Sequence, residues 1–113
     1  MSGRLVGEVL DHAPSDLTVA ERFVYAALAE AARDKDRIAR YKCSNADLAY
    51  RTGLKEGTVR NALTELAHRG LIKRLVAKPH RGAGGKHQEY ELCKLDAHHR
   101  FTTIRDVPQR ESL

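Results

Sequence analysis

The sequence predicts a mainly α chain closed by a small β-hairpin, an α+β fold of one domain. Three observations predict it. Apolar residues recur at helical spacing in residues 17–33 and again in residues 55–69. A short helical stretch that opens at Ser44 runs into the second of these across a single glycine, Gly53. After Gly70 the period changes to partial alternation in residues 71–78 and 87–95, with a glycine-rich segment between them. The 113 residues hold one module with one modest core, and with aromatics at 5% and no Trp that core is aliphatic.

Taken in order, the elements follow from local chemistry. Within residues 1–16, Leu5, Val6, Val9 and Leu10 line one face of a short helix. Such a helix is marginal alone, so this arm either docks on the body or meets a partner subunit. In LTVAERFVYAALAEAAR the stripe is Ala20, Phe23, Val24, Ala27, Leu28 and Ala31, and Thr18 with Glu21 forms a capping box at its start. The charged run DKDR at 34–37 reads as an exposed turn, and residues 38–43 hold a short extended piece. Ser44 and Asp47 make a second capping pair, Leu48 and Ala49 face inward, and Gly53 stops that helix after about two turns. Only Leu54 separates Gly53 from the next helix, KEGTVRNALTELAHR, which buries Val59, Ala62, Leu63 and Leu66 and ends at Gly70. The strands LIKRLVAK and HQEYELCKL flank PHRGAGGK, whose proline and three glycines suit a hairpin tip. Residues 17–95 form the domain, and residues 96–113, without a convincing period, form a tail.

Charge is unevenly distributed. The chain carries a net +5, and residues 41–94 hold 11 basic and 5 acidic side chains against 9 and 10 in the remainder. The surplus therefore belongs to the helix pair and hairpin, and it favours a polyanionic partner.

The order of elements, and the pattern DLAYRTGLKEGTVRNALTELAHRGLI with Leu48, Ala49, Gly53, Leu54, Thr58, Val59, Leu63, Leu66, Gly70, Leu71 and Ile72 at its spaced positions, resembles the winged helix-turn-helix family. The pattern is familiar from regulators of the multiple-antibiotic-resistance and gluconate-repressor types. With LTVAERFVYAAL upstream it is more similar to small winged-helix proteins of actinobacterial plasmids and phages that act in replication or regulation. The resemblance implies a DNA-binding protein, a transcriptional repressor or a replication, partition or transfer factor, whose second helix enters the major groove while the first braces it.

At 100° per residue, burying Val59, Ala62, Leu63 and Leu66 turns Gly57, Arg60, Asn61, Thr64 and His68 outward. Arginine binds guanine O6 and N7 bidentately and asparagine does the same at adenine N6 and N7, so Arg60 and Asn61 are the candidates for base reading. Lys55 and Thr58 lie near the helix start, where backbone amides also favour phosphate. Glu56 is costly beside phosphates unless it accepts from cytosine N4, and Gly57, a poor helix former, permits close backbone approach. Ser44 and Asn45, at the start of the supporting helix, complete the helical set. By the same resemblance the tip residues His80, Arg81, Lys86 and His87 form a wing on phosphates or in the minor groove.

Other chemistries find little support. RGAGGK lacks the GxxxxGK[ST] spacing of a phosphate-binding loop. Six histidines, among them His98 and His99, show no zinc-ligand spacing, so neither metal nor cofactor is expected. No nucleophile, base and orienting group form a catalytic motif, and no small-molecule ligand is evident. Cys43 and Cys93 suit a reducing compartment as small hydrophobes, and come close only if the piece before Ser44 pairs with the second hairpin strand. The N-terminus lacks the apolar region of a signal peptide and no run reaches membrane-spanning length, which predicts a cytoplasmic protein. Double-stranded DNA is the expected partner. A homodimer is expected too, because a single module covers only about 600–1,000 Å² of DNA, with residues 4–10 and 96–113 as its surfaces. The competing reading is an assembly module whose basic hairpin meets an acidic protein.

Overall fold

The computed structural model describes residues 3–75 and 88–95. Four helices, α1 (Gly3–His12), α2 (Val19–Ala31), α3 (Asn45–Thr52) and α4 (Glu56–His68), accompany three short strands, β1 (Ile38–Ala39), β2 (Ile72–Leu75) and β3 (Glu89–Leu92). The sheet is antiparallel in the order β1-β3-β2, with Ala39 and Arg74 both opposite Tyr90. This is the expected mainly α architecture with a small sheet, a winged helix-turn-helix.

Local signals account for the helix ends. Thr18 Oγ1 accepts from the Glu21 amide while the Thr18 amide donates to Glu21 Oε1, each at 3.0 Å, so the capping box is complete. Ser44 Oγ accepts from the Asp47 amide at 3.0 Å. Gly53 adopts φ 79°, the left-handed conformation that lets α3 stop abruptly and α4 begin. Two residues rather than one, Leu54 and Lys55, separate Gly53 from α4, because Lys55 is extended and serves as its N-cap.

The core joins every element. Leu28, Leu48, Leu66, Leu71, Tyr90 and Leu92 are fully buried, and Leu5 and Val9 of α1 are buried with them. The N-terminal helix thus docks on α2, and the face of residues 4–10 expected to meet a second subunit is turned inward apart from Leu10. The stripe of α2 also differs from expectation. Phe23 is 49% exposed whereas Tyr25 is fully buried, and the inner face runs through Val24, Tyr25, Leu28, Ala29 and Ala32. The physical reason is that α2 packs against α1 as well as α4, which widens its buried arc and rotates it away from Phe23. Tyr25 carries its hydroxyl into the core without a hydrogen-bond partner among the described residues, and burial raises its pKa far above the ordinary tyrosine value.

The turn at 34–37 is not simply exposed. Arg37, at φ 62°, is half-buried; its Nε donates to the Leu92 carbonyl at 2.8 Å and its Nη2 to the Cys93 carbonyl at 3.1 Å. The same guanidinium pairs with Glu8 of α1, whose carboxylate also accepts from the Leu95 amide at 3.0 Å. Burial raises the Glu8 pKa, but the Arg37 and Leu95 hydrogen bonds outweigh it and hold the carboxyl below its ordinary value. Beside this knot, Asp36 is pushed down to about 2, chiefly by its hydrogen bond with Arg40.

The short piece before Ser44 does pair with the second hairpin strand, yet the two cysteines remain apart. Their antiparallel register puts Cys43 at the start of β3, where its thiol donates to the Gln88 carbonyl at 3.1 Å, while Cys93 follows the end of that strand. Five residues of extended chain separate the two points, about 16 Å. Both thiols are free, and burial pushes that of Cys43 up to about 11.

Candidate nucleic-acid interface

Helix α4 divides cleanly into two faces. Val59, Ala62, Leu63 and Leu66 are buried, and Gly57, Arg60, Asn61, Thr64 and His68 are exposed, as the 3.6-residue period requires. The tight Gly53 turn sets α3 against α4, and α3 is tied to α2 by Arg51, whose guanidinium pairs with Glu30 and donates to the Ala27 carbonyl. The outward face of α4 is thereby held on a braced support.

Its first turn has an unusual start. Lys55 makes no side-chain capping bond. Glu56 lies exposed in that turn, where a carboxylate is stabilised by the helix dipole and offsets part of the missing cap. Gly57 is equally informative, because a Cβ placed there would meet nothing within 4 Å. No contact among the described residues calls for glycine at this position.

The remaining candidates are distributed around this face. The side chains of Arg60 and Asn61 are exposed on it and make no side-chain hydrogen bond among the described residues. Thr64 donates its hydroxyl to the Arg60 carbonyl at 3.0 Å. Thr58 and Asn61 line a depression of about 180 Å³ shared with Thr18 and Glu21 of the α2 start. Ser44 is occupied as the α3 cap, whereas Asn45 keeps its buried Oδ1 without a partner. The wing residues His80, Arg81, Lys86 and His87 lie outside the described residues, as do His98 and His99.

Sequence reasoning missed two side chains. Arg74 of β2 and Tyr90 of β3, directly opposite one another, face α4 across a cleft of about 390 Å³ that Arg60 and Asn45 also line. The alternation of β2 carried a weak signal of this, since Arg74 shares its strand face with buried Ile72. Among the described residues no group of three or more His, Cys, Asp and Glu side chains could hold a metal ion, and no helix is long and apolar enough to cross a membrane.

Residues 26–75, from the middle of α2 to the end of β2, match the family model described as the IclR helix-turn-helix domain. No curated protein and no solved structure matches the chain. The match spans the α3–α4 pair and its flanks, and with the fold it supports a winged-helix DNA-binding family, with double-stranded DNA as the partner.

Proposed function

We propose that this chain is a sequence-specific transcriptional regulator, a repressor, that reads the major groove with α4. The observation that carries the reading is the outward row of Gly57, Arg60, Asn61 and Thr64 opposite a fully buried apolar face. A helix braced in this way fits a groove about 12 Å wide, and its arginine and asparagine match the paired acceptor and donor edges of guanine and adenine. The open space at Gly57 supports close approach of the helix start to the duplex. Lys55 and Thr58 supply phosphate contacts, and the wing, residues 79–87, adds backbone or minor-groove contacts. The work is binding rather than catalysis, and it is shared by two copies on half-sites about one helical turn apart.

Selection of bound fragments from a random duplex library, followed by titration of the best site, tests this. Arg60→Ala is expected to cost about 1–3 kcal/mol and to relax preference at one base pair, with the melting temperature unchanged. Unchanged affinity and preference remove Arg60 as a base reader. A best site at a replication origin or partition locus assigns the chain to replication or partition instead. Absence of any salt-sensitive mobility shift on duplex DNA at low salt overturns the reading in favour of a protein-assembly module.

A further inference from the structure

The cleft of about 390 Å³ between α4 and the sheet adjoins the reading face, because Arg60 and Thr64 belong to both. Among the described residues its two charged side chains, Arg60 from α4 and Arg74 from β2, come from different elements, and no carboxylate lines it. Six other arginines among the described residues enter ion pairs: Arg4, Arg33, Arg37, Arg40, Arg51 and Arg69. Arg60 and Arg74 enter none of them. Two guanidiniums facing one concavity without a counter-ion repel each other, and a bound anion relieves that cost.

Arg74 is also held in place. Its Nη2 donates to Tyr90 Oη at 3.2 Å, Tyr90 Oη donates to Gln88 Oε1 at 2.8 Å, and the guanidinium carbon lies 5.7 Å from the centre of the Tyr90 ring. Tyr90 itself is 1% exposed and fixed by the core. A hydroxyl and a ring thus orient the guanidinium without neutralising it, the arrangement suited to a ligand that supplies the negative charge. On the third wall the Asn45 side chain lines the same cleft, and its buried Oδ1 has no hydrogen-bond partner among the described residues.

We propose that this cleft seats a backbone phosphate of the duplex whose major groove receives α4, with Arg74 as its principal donor and Tyr90 as the residue that positions Arg74. The proposal rests on the DNA-binding reading above and names a contact that reading does not include. The duplex backbone is favoured as the source of the phosphate because Arg60 belongs to both the cleft and the outward face of α4. A phosphate beside Arg60 is therefore adjacent to the bases that the same helix reads.

Titrations of the full chain with its selected site and with random duplex, over a range of salt, test the assignment. Arg74→Gln is expected to weaken both complexes by a similar factor, roughly tenfold, and to lower the slope of log affinity against log salt by about one. Arg74→Lys restores the slope. Tyr90→Phe keeps the charge and the buried ring, and is expected to weaken both complexes a few-fold with a smaller change of slope. Wild-type affinity and slope in Arg74→Gln overturn the proposal, as does a loss confined to one base pair, which makes Arg74 a base reader. If the wild-type chain binds no duplex at low salt, the DNA reading itself fails, an outcome distinct from either.

Discussion

Around the turn that joins α2 to β1, arginine is matched to carboxylate at every step: Arg33 and Arg40 to Asp36, and Arg37 to Glu8. In the cleft between α4 and the sheet, Arg60 and Arg74 stand without one among the described residues. The same side chain therefore does opposite work in the two regions. Where charge is neutralised it fastens elements together, and where it is left open it is available to an anion. The net +5 conceals this division, because a paired and an unpaired arginine count alike in a sum over the chain.

The comparison breaks most completely if the support fails. Leu48 of α3 is fully buried beneath the helix pair, and Leu48→Ala is expected to cost about 2–5 kcal/mol of stability. Urea unfolding monitored by circular dichroism measures this, and DNA binding should fall in parallel with the folded fraction. A loss below 1 kcal/mol indicates that α3 does not brace α4.

Glu8→Gln tests the neutralised region alone. Removing the carboxylate leaves Arg37 half-buried without its partner, at an expected cost of about 1–3 kcal/mol, while the folded protein keeps its DNA affinity. Acid should act on the same contacts. The Glu8 carboxyl is held below its ordinary value of 4.5, and Asp36 is pushed down from 3.8 to about 2. Their stabilisation is therefore complete above the ordinary carboxylate range and is lost as pH falls from about 4 towards 2. The urea midpoint should drop over that window, less steeply in Glu8→Gln; parallel curves for the two proteins exclude Glu8 as a source of the acid sensitivity.

The smallest effect is the most discriminating, because its two readouts move in opposite directions. Lys55 occupies the α4 cap without capping it. Lys55→Ser should stabilise the protein by about 0.5–1 kcal/mol in thermal unfolding and yet weaken duplex binding through loss of one phosphate contact. Stabilisation with undiminished binding leaves Lys55 without a role at the interface.

How far the sequence was readable depended on how far apart the interacting residues stand. The faces of α4, the Thr18–Glu21 box, the Ser44 cap and the Gly53 stop are decided within one or two helical turns, and all follow from spacing alone. Phe23 and Tyr25 were exchanged because the inner side of α2 is set by several partners, α1 and α4 foremost, that periodicity within one helix does not reveal. Arg37 looked like part of a solvated turn because its carboxylate, Glu8, lies 29 residues away. Arg74 was overlooked for a similar reason: its value comes from lying opposite Tyr90, and strand register is a property of two segments rather than one.

The contact between Glu8 and the Leu95 amide spans 87 residues, so together with Arg37 it fastens the first helix to the last described stretch of the chain as a clasp does. A cross-connection of that reach forms only after most of the chain has been ordered, since closing so long a loop carries a large entropic cost. It therefore acts on escape from the folded state more than on arrival. Opening the clasp should hasten unfolding while leaving refolding nearly unchanged, which makes this ion pair a determinant of how long the DNA-facing surface persists once assembled.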